Sequence, residues 1–295
     1  MRLIFKRRRG RAFGFVNGAI LLVIAALCVY PFIYTISVSF SDGRFVSADQ
    51  VHLLPKGITT ATYRYILGNS SLGILPSLLN SVFYTVVGTV VAVCLTYATA
   101  YVLSRKRFRG RHTIMLLFLI SWIFEAGLVP TYIIYQHLGM VNSRLVMIVP
   151  MAINTFLLII TRSFLQSLPD ELEESASLDG ANDLQIMVRI YGPLATPVLA
   201  TIGVFYAASI WNSVLTPLIY LQDKALQPIQ LLLYNLVIQS GGNTTELETL
   251  NFDGHLVTYQ NISSAMMVLA IVPILLFYPF AQRYFRQGLM VGSIK

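Results

Sequence analysis

The sequence predicts an all-α integral membrane protein of six transmembrane helices with both termini cytoplasmic. Three observations carry that reading. Hydrophobic residues make up 56% of the 295 and charged residues only 12%, where a soluble domain is about a quarter charged. The charges are also clumped, leaving windows without Asp, Glu, Lys or Arg as long as a bilayer-spanning helix, about 20 residues. Finally, basic residues gather in alternate loops, the asymmetry that orients a membrane protein.

The elements follow in order. Residues 1–12 are a basic N-terminus, and residues 13–40 form the first window. That window is longer than the apolar core of a cleaved leader, about 7–15 residues, so it reads as an anchor. A polar, turn-rich outer loop follows from Ser41 to Pro76. In it Thr59 or Thr60 caps a short helix through Tyr63–Leu67. The second window is 65–104, and in it Gly88, Ala92, Thr96 and Ala100 recur every four residues. Such a smooth face lets membrane helices approach closely. Cys28 and Cys94 fall inside predicted spans and read as small packing residues.

The third window, 113–143, is interrupted only by Glu125. The fourth, 145–161, is the shortest and ends against Arg162. The fifth is 190–222 and the sixth 254–282. Between them, "QPIQLLLYNLVIQS" predicts a helix that starts near Pro228 and stops before Gly241. "GGNTTELETLNFDGH" after it reads as a flexible polar loop. The six spans make one transmembrane domain over 13–287, closed by a tail at 288–295.

Arg2 to Arg11, Arg105 to Arg111, Arg162, Arg189, Arg283, Arg286 and Lys295 all fall on one side of this arrangement. Only Arg44, Lys56, Arg64, Arg144 and Lys224 fall on the other. Loops rich in Lys and Arg stay cytoplasmic. The net charge of +8 therefore reports orientation and contact with anionic lipid. An aromatic-interleaved basic groove for nucleic acid is missing. So are a phosphate-binding P-loop, a nucleophile elbow and any His, Cys and carboxylate cluster at metal-ligand spacing. The chain is therefore read as non-catalytic on its own, without a cofactor. Glu125 is the one carboxylate inside a span, and such a group costs roughly 2.5–3.5 kcal/mol at mid-bilayer on insertion scales. It reads either as a substrate-path group or as a polar residue bonded to a neighbouring helix.

The loop 166–193 is the most particular segment. Pro169 suits a helix start, and Asp170, Glu171, Glu173 and Glu174 complement the positive end of a helix dipole. Gly180 suits the positive φ that ends a helix. Asn182 caps a second short helix to Tyr191, with Leu184, Met187, Val188 and Tyr191 on one side and Pro193 as its stop. Two short helices with an exposed apolar side mark either a protein contact or a helix lying in the lipid interface.

The spacing here resembles the EAA motif of ABC-importer permeases: E-A-A, three residues, G, nine residues, I-x-L-P. This chain has Glu174-Ser175-Ala176, Gly180, Ile190 and Pro193, with Ser175 in place of alanine and Gly192 in place of leucine. "LLPKGITTATYRYIL", "GLVPTYIIYQHLGMVNS" and "YPFAQRYFRQGLMVGSIK" are similar to carbohydrate importers of the maltose type, closest to the second permease of polysaccharide and complex-oligosaccharide systems. Glu125 stands where that family has glycine.

The resemblance implies a multi-pass subunit in the bacterial cytoplasmic (inner) membrane. Its partners would be a homologous second permease, an ATPase dimer carrying ATP and Mg, and an extracytoplasmic solute-binding protein delivering an oligosaccharide. Its EAA-type coupling-helix loop would dock on the ATPase through Glu173, Glu174, Ala176, Leu178, Asp179, Gly180, Leu184, Met187, Ile190 and Pro193, with help from the C-terminal tail. Trp211 and Asn212 are candidate sugar contacts, as are Tyr132, Asn154 and Glu125, against the alternative of helix–helix hydrogen bonds. The rival functions are an ABC permease for another solute and an ion-coupled secondary carrier.

Overall fold

Four of the six apolar windows each contain one long helix in the computed structural model, which describes residues 11–242 and 250–288, and the fifth window, 190–222, also breaks after Trp211 into a second short helix. The elements, in chain order, begin with α1 (Arg11–Ser39), α2 (Gly43–Ser47), α3 (Ala61–Gly68), α4 (Ile74–Ser104), α5 (Arg111–Ile123), α6 (Leu128–His137) and α7 (Thr155–Gln166). Then come α8 (Glu171–Leu178), α9 (Asp183–Gln185), a π-helical turn over Ile186–Tyr191, α10 (Gly192–Trp211), α11 (Leu215–Tyr220) and α12 (Ile229–Gly242). A hairpin of β1 (Leu250–Phe252) and β2 (His255–Val257) precedes α13 (Tyr259–Gly288). The predicted N-terminal basic run and most of the predicted tail lie outside the described residues.

The third and fourth windows correct the sequence reading. The third is two helices, α5 and α6, bent by 117° at Phe124–Gly127. Glu125 therefore sits in a non-helical break, exposed, rather than inside a helix. The fourth opens as a 3-10 turn over Arg144–Met147 and becomes helical only at Asn154, whose side chain caps α7. That helix runs on to Gln166, so Arg162 lies within it rather than at its end. The first break adds only Glu125 and the second no charge at all, so an apolar-window count passes over both.

The chain forms two compact units. Of the described residues, one comprises 11–69, 239–242 and 250–269. In it α1 exposes every side chain from Phe13 to Ile33, a surface compatible with hydrocarbon rather than water. The loops beyond it are tightly bonded. Asn261, fully buried, donates from Nδ2 to the carbonyls of Val38 (2.8 Å) and Ser41 (2.9 Å). Its Oδ1 accepts from the backbone and hydroxyl of Thr258. The predicted flexible loop is in part a hairpin: Asp253 and Gly254 both have positive φ, 55° and 78°. An Asp-Gly pair between two strands is the usual two-residue hairpin turn, a signal present in "NFDGH" and passed over. Asp42 caps α2 and pairs with His255 Nδ1 at 2.8 Å.

The other unit comprises, of the described residues, 70–238 and 270–288. Here α4 packs along α10 and α7, and its predicted small face, Gly88, Ala92, Thr96 and Ala100, is buried. Thr96 Oγ1 and Tyr206 Oη share a hydrogen bond of 2.7 Å. Cys94 and Cys28 are free and exposed on their helices, so neither fills a gap within the chain.

Candidate functional site

The loop between α7 and α10 is built by local rules and then bolted down by charge. Helix α8 carries Glu171, Glu173 and Glu174 in its first turn, where the helix dipole favours anions. It ends in a Schellman motif: Gly180 has φ +83°, its N–H donates to Ser177, and the N–H of Ala181 reaches back to Ala176. The chain then restarts on a capping box, Asn182 and Gln185 each accepting the other's backbone N–H at 2.9 Å.

The second helix does not stop at Pro193, as the sequence reading had it. A π-helical turn over 186–191 runs straight into α10, and Pro193 sits in the first turn of that helix, where its missing N–H is no loss. The Met187 carbonyl accepts both the N–H of Gly192 and the Tyr97 hydroxyl, the latter at 2.6 Å. The π turn also changes the apolar face. Ile186 and Tyr191, five residues apart, are both fully buried, while Leu184 and Val188 point outward at 65% and 56% exposure. A regular helix would have placed Val188 beside Tyr191. Tyr191, expected on the docking side, instead belongs to the core with Ala176.

The predicted site residues divide accordingly. Glu174, Leu178, Asp179, Gly180, Leu184 and Pro193 are exposed, with Leu178 the most exposed apolar side chain of the loop. Met187, Ile190 and Glu173 are half-buried, and Ala176 is buried against the core.

Glu173 faces inward, to residues that the sequence reading counted only for orientation. Its Oε2 accepts from Arg105 Nη1 at 2.9 Å, and its Oε1 lies 3.4 Å from Arg107 Nε. Lys106 pairs with Asp170, and Arg107 also with Asp183. The hydrogen bond from Lys106 lowers the Asp170 pKa, and the same bond raises that of Lys106. At Arg105 burial works against the charge, yet the bond and charge of Glu173 hold its pKa above the ordinary arginine value. A run of basic residues after one span and acidic residues after another was the visible signal for this pairing.

The candidate substrate contacts do not converge. Trp211 is buried, its Nε1 donating to the Ala270 carbonyl at 3.2 Å, and Asn212 donates to Ala208 on its own helix. Tyr132 stacks on Tyr220 with centroids 5.7 Å apart. Asn154 alone of the five lines the cavity of about 300 Å³ between the start of α7 and the C-terminal end of α10, beside Tyr206 and Ser209. Tyr206 Oη accepts the backbone N–H of Asn154 there at 2.8 Å.

Long apolar helices and one braced loop with an outward apolar side define a polytopic helical membrane protein. Residues 108–291 match the family of binding-protein-dependent transport system inner membrane components. The chain is similar to the polygalacturonan/rhamnogalacturonan transport system permease protein YtcP of Bacillus subtilis, 40% identical over 97% of this chain and 99% of that one. It is also 37% identical to the protein LplC of the same organism, over 98% and 96%. Among solved structures it resembles a chain of a bacterial ABC transporter involved in the import of the acidic polysaccharide alginate. That likeness has a TM-score of 0.88 and 33% identity, and covers 95% of this chain and 99% of that one. The chain belongs to the family of inner membrane permease components of binding-protein-dependent ABC transport systems.

Proposed function

We propose that this permease imports an oligosaccharide released from a polysaccharide, driven by ATP hydrolysed on a separate ATPase. The observation that carries the docking half is the loop 166–193. It holds Leu178, Leu184 and Val188 outward, while four ion pairs fix its other side to its own chain. An apolar surface on so braced a loop suits a partner protein better than a lipid interface. The substrate half is supported by relatives named for polygalacturonan, rhamnogalacturonan and alginate.

In this reading the bent pair α5–α6 makes the third crossing and the segment ending in α7 the fourth. That gives six crossings with both termini in the cytoplasm of a bacterium. A second permease pairs with this one, each loop sits in an ATPase subunit that binds ATP and Mg, and a solute-binding protein delivers the sugar outside. Closure of the ATPase dimer draws the loops together and opens the helices outward.

The test is co-expression with the second permease and ATPase, comparing wild type with Glu174→Lys and Gly180→Asp. Both positions are exposed, and the second also forces a side chain onto a backbone at φ +83°. Both variants are expected to insert normally, lose the ATPase on purification and lose binding-protein-stimulated hydrolysis in proteoliposomes. Unchanged association and uptake would sink the docking reading and favour an ion-coupled carrier. Uptake of uronate-containing over neutral oligosaccharides by the wild-type assembly tests the substrate half.

A further inference from the structure

Helix α4 does not adjoin the loop along the chain, whereas α7 and α10 lead directly into and out of it. A displacement of the loop reaches those two helices along the chain. It reaches α4 only through contacts, and α4 is the helix that packs along both of the others. The residue at its C-terminal cap is Arg105.

Arg105 touches every element that meets at this point. Nε donates to Ser104 Oγ at 3.0 Å, Nη2 to the Leu165 carbonyl near the end of α7 at 3.2 Å, and Nη1 to Glu173 of α8 at 2.9 Å. Its guanidinium carbon lies 4.2 Å from the ring centroid of Tyr191, in the π turn that leads into α10, and 5.1 Å from that of Tyr101 on α4. The two rings are themselves edge to face at 5.5 Å. The side chain is 5% exposed. A planar fork with donors in fixed directions joins several bodies at set angles, which a lysine on a flexible stem does not.

We propose that Arg105 is a positioning residue of transport, the buried joint that makes α4 move as one body with the loop. This rests on the docking reading above. Lys106 and Arg107 bridge the same elements, but both are more than half exposed, where screening leaves little holding force. Tyr97 adds a neutral bond from α4 to the Met187 carbonyl. Arg105 is the one buried ion pair of the set.

The experiment uses the full assembly in lipid nanodiscs, in a background with Cys28 and Cys94 replaced. Spin labels go on Val102 of α4 and Ser177 of the loop, both exposed and neither in the docking set. In wild type the Val102–Ser177 distance is expected to stay the same with and without ATP. The Ser177 label, beside the docking side, should lose mobility when the ATPase is present. In Arg105→Gln that immobilisation should persist while the distance changes on ATP binding. Uptake should fall roughly 5- to 30-fold, the range of a coupling loss of about 1–2 kcal/mol, with binding-protein-stimulated hydrolysis largely kept.

Arg105→Lys should fail to restore the fixed distance, and the near-isosteric Glu173→Gln should show the same uncoupling in weaker form. Those two variants carry the test if Arg105→Gln does not assemble. A distance that stays fixed in all three, with uptake intact, overturns the proposal. A Ser177 label that stays mobile in wild type beside the ATPase overturns the docking reading instead.

Discussion

The loop that follows α7 and the hairpin that precedes α13 are each tied to a distant stretch of chain by a carboxylate, and they use different partners. At the loop, Glu173, Asp170 and Asp183 meet Arg105, Lys106 and Arg107, cations that stay charged across any physiological pH. At the hairpin, Asp42 meets His255, and Asp253 meets Arg64. The loop has an outward apolar side and its braces turned inward. The hairpin is held by backbone approach as much as by charge, since Gly43 lies against the Leu256 backbone. The first arrangement suits a part that transmits force, the second a part that keeps a shape.

The largest expected effects come from filling the tight spot in each region. Ala176 is 7% exposed and packs in the core with Ile186 and Tyr191. Ala176→Leu should lift α8 at a cost of about 1–3 kcal/mol, typical of overpacking, and lose ATPase association. A Cβ on Gly43 would stand 2.5 Å from the Leu256 carbonyl oxygen, a backbone atom with no rotamer to move. Gly43→Ala should therefore speed amide exchange in β1 and β2 and leave ATPase association unchanged. If each change disturbs both regions, the separation drawn between them is wrong.

Acid divides the regions less sharply but in a stated direction. Burial pushes the Asp42 pKa up, yet the backbone N–H of Arg44, the bond to His255 and both nearby charges outweigh it and hold it below the ordinary value. The folded protein thus binds this proton less readily than the unfolded chain. Its contribution is complete above the ordinary carboxylate range and is lost as pH falls through the lowered value. Asp42→Asn imitates the protonated state at neutral pH and keeps an α2 cap. It should cost about 1 kcal/mol, read as faster hairpin exchange, with a weaker dependence on acid than wild type. Equal acid sensitivity in the variant would take Asp42 out of the account.

How much of this was legible beforehand follows the range of the forces. Four long helices were readable because each is one uninterrupted apolar window, and Gly180 and Asn182 marked the loop's turn and restart from local chemistry alone. The break before Asn154 leaves hydropathy untouched and the one at Phe124–Gly127 adds only Glu125, though Gly127 and Pro150 stood there as markers. The π turn was invisible because a tertiary bond helps hold it, Tyr97 to the Met187 carbonyl across 90 positions. Glu173 was assigned outward for a similar reason, since its partner lies 68 positions away. Local rules located the loop; only packing could say which side of it faces out.

Within the loop itself, an exposed ion pair beside a buried one should matter least. Lys106 and Arg105 are adjacent and pair with carboxylates one helical turn apart, so chemistry and location are nearly matched while burial differs. The Lys106 side chain is 76% exposed and Asp170 52%, against 5% and 18% for Arg105 and Glu173. The Asp170 pair has its contribution above the carboxylate range, and the raised Lys106 pKa keeps its own until pH passes the ordinary lysine range. Both are present together throughout neutral pH. Water and salt nonetheless screen an exposed pair, and holding two long side chains in register costs entropy that offsets the attraction. Lys106→Ala should therefore change uptake by less than about twofold at physiological salt, with any deficit confined to low ionic strength. A loss as deep as that of Arg105→Gln would mean that charge anywhere on this joint suffices, and that burial is not what makes Arg105 the joint.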